Sequence, residues 1–197
     1  MVLERKCLMS NLFYISDLHF GHANILTFKR ADGTPLRDFT DLEHMHSVME
    51  ERWNAVVRER DTVYVLGDVA IARRGLQMLS RLRGRKVLIK GNHDIFKLAD
   101  YTEHFADIRA YDVKQGLAFS HIPVHPESLA RFGCNVHGHL HYREVLDDAG
   151  NPDPRYFNVS CERLDFIPLS REDLHKAIVA RGGVIGFKNG NGPQEAT

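Results

Sequence analysis

Five short apolar runs, at residues 12–16, 62–66, 87–90, 117–120 and 134–137, each stop at residues able to ligate a metal. In order, the endings are Asp17 with His19, then Gly67 with Asp68, then Gly91 with Asn92, His93 and Asp94, then His121, and last Gly138 with His139 and His141. Runs of this length, mostly rich in β-branched or aromatic residues and bounded by turn formers, read as buried strands. Asp17 and His19 are two apart, as are His139 and His141; that spacing keeps side chains on one side of an extended chain and separates them on a helix. Both pairs therefore belong just past strand ends. In open α/β sheets ligands collect beyond the carboxyl ends of strands, so five such endings can meet in one crevice.

The segments between the runs supply helices. Thr40 with Glu43 predicts a capping box for a helix reaching about residue 58, with Leu42, Met45, Met49, Trp53 and Val56 as its apolar stripe. A second helix is predicted over 75–83, where Leu76, Leu79 and Leu82 recur every third residue and Gly84 can take the left-handed conformation that ends a helix. Residues 108–114, a turn at Gln115 and Gly116 and the run from 117 read as a hairpin, which makes the sheet mixed rather than purely parallel. A further strand is predicted at 156–160, and Ser170 with Asp173 predicts the cap of a last helix to about 180.

Gly182, Gly183, Gly186, Gly190 and Gly192 leave a tail at about 182–197 with little to pack, expected to be mobile. The 197 residues fit one α/β domain spanning 1–197, with no repeat or composition shift to mark a second.

Charge and cysteine content exclude more than they select. The 26 Lys and Arg balance 26 Asp and Glu, so neither a long-range positive field nor an acidic tail is present. Cys7, Cys134 and Cys161 are an odd number with no paired spacing, which suits reduced thiols. The first ten residues carry Glu4, Arg5 and Lys6 around a short apolar stretch unlike a signal sequence, and no segment is of spanning length. The expectation is a soluble, cytoplasmic protein with no membrane partner.

Carboxylate, amide oxygen and imidazole without thiolate suit divalent ions such as manganese, iron or zinc in a reactive rather than a structural site. Two dications would keep an excess of positive charge after Asp17, Asp68 and a bridging hydroxide are counted, and that excess attracts phosphate.

Asp-x-His, Gly-Asp, Gly-Asn-His-Asp, a lone His and Gly-His-x-His, in this order from Asp17 to His141, resemble the calcineurin-like metallophosphoesterase superfamily. Ser16-Asp17-Leu18-His19-Phe20-Gly21-His22 resembles its small bacterial and phage members. The resemblance implies a four-layer αββα sandwich of two mixed sheets between helices. It implies Asp17, His19 and His141 on one metal, Asn92, His121 and His139 on the other, and Asp68 bridging them. A hydroxide between the ions would attack phosphorus in line. His93 is implied to lie beside the substrate, protonating the leaving oxygen or bonding the phosphoryl group. Asp94 either orients that imidazole or anchors the turn.

One departure matters. Where serine/threonine phosphatases of the superfamily continue Gly-Asp with a further Asp and Arg, Gly67-Asp68 runs into Val69, Ala70 and Ile71, which argues against phosphoprotein substrates.

Other polar residues carry two readings each. His22 and Asn24 either support the site or cap a following helix, and Arg73 and Arg74 either reach the phosphate or are solvated. His44 and His46 cannot share a helix face and read as solvated, His137 reads as support for its turn, and Cys134 and Cys161 read as core. Arg81, Arg83, Arg85 and Lys86 either guide a polyanion or serve solubility.

The function expected from this pattern is hydrolysis of phosphomonoesters or phosphodiesters at two divalent ions, with a small phosphate ester as substrate. Manganese is the first candidate, and iron, zinc, nickel and cobalt are compatible. Two rivals stand: a nuclease or cyclic-nucleotide phosphodiesterase on the same site, with nucleic acid the less favoured partner, and a non-catalytic metal-binding scaffold.

Overall fold

Two mixed sheets organise residues 10–187, the part of the chain that the computed structural model describes. Cys7 and the tail glycines Gly190 and Gly192 lie outside the described residues. In chain order the strands are β1 (Leu12–Ile15), β2 (Thr62–Val65), β3 (Arg85–Ile89), β4 (Asp107–Arg109), β5 (Asp112–Lys114), β6 (Leu117–Phe119), β7 (Cys134–His137), β8 (Tyr156–Asn158) and β9 (Leu169–Ser170). The first sheet runs β4-β3-β2-β1-β9 and the second β5-β6-β7-β8. Only the edge strands β9 and β5 are antiparallel to their neighbours, so the fold is α/β with two mixed sheets.

Residues 108–114 do not form one hairpin arm as expected. The run splits: β4 pairs with β3 in the first sheet, while β5 pairs with β6 in the second. Arg109 holds the corner between them, with its guanidinium 2.6 Å from Asp107 and 2.7 Å from Asp112. The expected turn is present, with Gln115 and Gly116 both in the left-handed region.

The long helix α1 (Leu42–Val56) is capped one residue later than expected. Asp41, not Thr40, accepts from the backbone N–H of His44 at 2.8 Å, and Thr40 Oγ1 instead meets the His44 ring. The segment read as a helix over 75–83 is a 3-10 helix, Arg73–Arg81. The three-residue recurrence of Leu76, Leu79 and Leu82 is the period of that tighter helix, in which side chains three apart eclipse. Two more helices follow. The short α2 (Leu98–Thr102) was not expected, and α3 (Arg171–Ala180) begins at Ser170, whose hydroxyl accepts from Asp173 N as expected.

Strand alternation divides the core in two. Phe13, Ile15, Val63, Val65 and Leu88 face Met45, Met49 and Trp53 of α1 and the leucines of the 3-10 helix. Tyr14, Tyr64, Leu66, Val87 and Ile89 face the second sheet, meeting Leu117, Phe119, Cys134, Val136 and Val159. Tyr14 stacks on Phe119 with ring centroids 5.0 Å apart. Each fully buried Leu, Ile or Phe in these layers contributes roughly 1.5–3 kcal/mol. A smaller cluster of Ala118, Leu129 and Tyr156 includes Leu129 from the turn Pro126–Leu129. Among the described residues no helix is long and apolar enough to cross a membrane.

The sheets join where their parallel strands end. Beyond β1, Ser16 N donates to Val159 O and Cys161 N to Ser16 O, each at 3.0 Å, in a parallel bridge between Ser16 and Ser160. This link brings the carboxyl ends of β1, β2 and β3 beside those of β6, β7 and β8.

Candidate metal centre

Backbone shape marks this junction before any side chain is considered. Asp17, His19, Asp68, His139 and His141 all have positive φ, between 51° and 70°, in the left-handed region that side-chain-bearing residues avoid. Such positions cost of order 1–3 kcal/mol each and persist where surrounding bonds impose them. Here Asp17 N donates to Gly67 O and His19 N to Asp68 O, at 3.0 and 2.9 Å. The buried Asp94 carboxylate accepts from Asp68 N at 2.9 Å, Val69 N at 3.0 Å and Gly91 N at 2.8 Å. These three bonds tie the 67–69 turn to the 91–94 turn.

The left-handed turns deliver two ligand groups. Asp17, His19 and His141 bring three ligand atoms within 4.8 Å of one another, and so do Asp68, His121 and His139; each group is able to hold a metal ion. Asn92 Oδ1 lies 2.9 Å from His121 Nε2, beside the second group. Asp68 sits between the groups, with Oδ2 3.2 Å from His121 Nε2 and 3.7 Å from His19 Nε2. His93 donates its backbone N–H to Asp68 Oδ1 at 2.9 Å, and its ring meets that of His19 edge-on at 5.6 Å.

The donor set fits divalent cations. Both ring nitrogens of His19 are buried with no hydrogen-bond partner among the described residues, a costly state, and a cation between Asp17 and Asp68 would satisfy the Nε2 that lies near both carboxylates. His141 Nδ1 donates to Glu162 Oε1 at 2.9 Å, which leaves its Nε2 a lone pair for a metal. His121 is engaged at both nitrogens, Nδ1 2.8 Å from Leu66 O and Nε2 against Asn92 Oδ1 and Asp68 Oδ2, the two oxygens with which it would share an ion.

Electrostatics follow burial and pairing. Burial holds His19 well below the usual imidazole range, helped by the Arg37 charge. Burial pushes Asp17 up, against the pull of His121 and His141. Asp68 is held down at about 2: burial opposes this, but the His121 bond and charge and the His93 N–H outweigh it. Burial would also raise Glu162, yet Arg37 and His141 bring it to about 2.

Other sequence candidates sit elsewhere. Arg73 reaches Asp100 Oδ1 at 2.5 Å and lies over the Phe96 ring, and Arg74 is exposed. Asn24 is exposed in the 3-10 helix Ala23–Thr27, where its carbonyl accepts from Thr27 Oγ1. Of that pair only His22 adjoins the site, with its ring 5.7 Å from His19 and a buried Nδ1 that has no hydrogen-bond partner among the described residues. His46 is not solvated as expected: its Nε2 accepts from Gly21 N at 3.1 Å, because α1 packs under the 19–22 turn. His44 is exposed. His137 Nδ1 pairs with Gly138 O at 2.8 Å in its turn, and Cys134 and Cys161 are buried. The basic cluster is partly neutralised, since Arg81 pairs with Glu50 and Arg83 with Glu59.

Two buried residues at the centre were missed. Glu162 follows the 156–160 run just as the other candidates follow theirs, a signal that would have found it. Arg37 comes from a connecting segment with no pattern to mark it.

Over 183 residues the chain is 34% identical to the uncharacterized protein MJ1445 of Methanocaldococcus jannaschii, covering 90% of this chain and 96% of that protein. It is 36% identical over 91 residues to the gene 66 protein of Mycobacterium phage L5, covering 44% of this chain and 41% of that one. A solved structure, the protein of unknown function AQ665 from Aquifex aeolicus, shares the fold with a TM-score of 0.66. The sequences are 23% identical, and the alignment covers 86% of this chain and 100% of that chain. No protein-family model matches the chain.

Proposed function

Since this chain belongs to the family of the uncharacterized protein MJ1445, whose name assigns no chemistry, we propose from its own site that it is a two-metal phosphoesterase. The observation that carries this reading is the placement of the His19 ring, whose nitrogens have no hydrogen-bond partner among the described residues, between Asp17 and Asp68, where two ligand groups adjoin. A four-layer sandwich of the calcineurin-like superfamily belongs to the same reading, as does a cytoplasmic location.

Asp17, His19 and His141 would hold one ion, and Asn92, His121 and His139 the other, with Asp68 shared. When bound, two such ions neutralise the ester's oxygens, make water nucleophilic and favour in-line displacement at phosphorus. The chain's residues do the rest. His93, beside His19 and fixed through its N–H to Asp68, would donate a proton to the leaving oxygen. His22, on the other side of His19, would contact the ester. The left-handed turns hold the ligands before substrate arrives, so little ordering is left for the reaction step.

The ligand chemistry favours manganese, with iron, zinc, nickel and cobalt compatible. The proposed substrate is a small phosphate ester. A nuclease or cyclic-nucleotide phosphodiesterase would use the same side chains, and a metal-binding scaffold without turnover is the other alternative. Rates on p-nitrophenyl phosphate and on its bis ester, measured with the manganese-loaded chain, separate these. Turnover of either ester that Asp68→Asn abolishes supports the enzyme; no turnover of either, with Asp68→Asn indistinguishable from the parent, would leave the scaffold.

A further inference from the structure

The two ligand groups are backed by different chemistry. Behind His141 stands a full negative charge, because its Nδ1 donates to Glu162 Oε1 at 2.9 Å. That oxygen also accepts from Arg37 Nε at 2.8 Å and lies 2.7 Å from the Nη2 of the same guanidinium, and both side chains are fully buried. The same guanidinium donates to the carbonyls of Asp17, at 2.5 Å, and Leu18, at 2.9 Å. One ion pair thus ties the turn carrying Asp17 and His19 to the turn carrying His141. The Asp17 carboxylate is further fixed by the hydroxyls of Ser16 and Ser160, at 2.6 and 2.8 Å.

Behind the His121 imidazole the partner is neutral. His121 Nδ1 pairs with the uncharged Leu66 carbonyl, the buried Asp94 carboxylate on that side accepts from the backbone N–H groups of Asp68, Val69 and Gly91 rather than from a ring, and His139 is half-buried. A carboxylate behind an imidazole fixes its tautomer and makes the opposite nitrogen a stronger donor to metal; losing such a partner costs about 10–100-fold in affinity. A buried ion pair is also a costly way to join two turns, since apolar residues of similar volume often do so with equal or greater stability. Its position behind His141 and Asp17 gives that cost a purpose.

We infer that Arg37 and Glu162 are positioning residues that make the Asp17, His19 and His141 position the tighter of two metal positions, filled first and retained when the other is empty. This rests on the two-metal reading above.

The test is a calorimetric titration of the metal-stripped full chain with Mn2+, with bound metal counted after dialysis. The parent chain should bind in two phases and retain one ion per chain. Glu162→Gln keeps the shape and the acceptor oxygen but removes the charge, and should weaken the tight phase by about 10–100-fold while leaving the weaker phase in place. Glu162→Asp, which restores the charge, should recover part of the tight phase. His139→Asn should remove the weaker phase alone. Equal weakening of both phases by Glu162→Gln, or loss of the tight phase in His139→Asn, overturns the inference. Should circular dichroism show Glu162→Gln unfolded, Glu162→Asp and His139→Asn decide: tight binding unchanged in the first, or lost in the second, rejects it. Two ions bound in one phase overturn this inference alone, whereas no Mn2+ binding at all overturns the two-metal reading with it.

Discussion

Asp68 Oδ2 stands 3.2 Å from His121 Nε2, so the carboxylate that follows β2 meets the imidazole that follows β6 across the junction of the two sheets. Neither sheet alone contains the site. Replacing Asp68 by Asn removes the charge that the proposed function shares between both ions. Retention of both metals should weaken, and activity should fall by more than the roughly 10–100-fold that loss of an outer-sphere partner costs. Metal analysis with steady-state rates checks this, and circular dichroism should show the fold retained.

Gly91 leaves no room for a side chain: a Cβ there would collide with Asp68 Oδ1 and with the Asp68 backbone nitrogen. Gly91→Ala should therefore displace the shared carboxylate and lower metal content while leaving the distant Trp53 environment intact. Tryptophan fluorescence with metal counting would separate this local effect from unfolding, which would shift both.

Asp94 satisfies three backbone donors, the buried N–H groups of Asp68 and Val69 and the part-buried one of Gly91. Asp94→Ala leaves them without their acceptor. At about 1–3 kcal/mol for an unsatisfied buried group, a loss of roughly 2–5 kcal/mol is expected after partial relaxation. Urea unfolding of the metal-free protein measures it, and a loss under about 0.5 kcal/mol, the size of an ordinary surface change, would contradict the anchoring role.

The contrast between Asp94 and Arg37 explains what was legible in the sequence. Residues placed by strand ends could be found, because a short apolar run bounded by turn formers locates the strand and so the side chains just past it. Asp17, Asp68, Asn92, His121 and His139 all follow from that rule. Arg37 could not be found, since its partners lie in backbone carbonyls and in Glu162, 125 residues away, and no local pattern encodes such a meeting. The split of residues 108–114 was hidden for a similar reason. Both halves carry strand-forming residues, and only the tertiary pairing decides which sheet each joins. At 73–81 the spacing of three was present, but it was read with the period of the wrong helix.

His137 gives the metal-free fold a pH dependence with a definite sign. The ring is almost fully buried, and burial, only partly opposed by the bond to Gly138 O, lowers its pKa from 6.5 to about 4. Above about pH 6.5 the ring is neutral in both the folded and the unfolded chain, so it contributes nothing to the balance. As the pH falls from 6.5 towards 4 the unfolded chain takes up a proton that the folded chain refuses, and stability drops; below 4 the loss levels off. The difference corresponds to about 3 kcal/mol. In thermal melts of the metal-stripped protein between pH 7 and pH 4, His137→Phe should remove this share of the slope, since its ring cannot charge. If parent and variant lose stability in parallel across that window, the buried imidazole is not the group responsible.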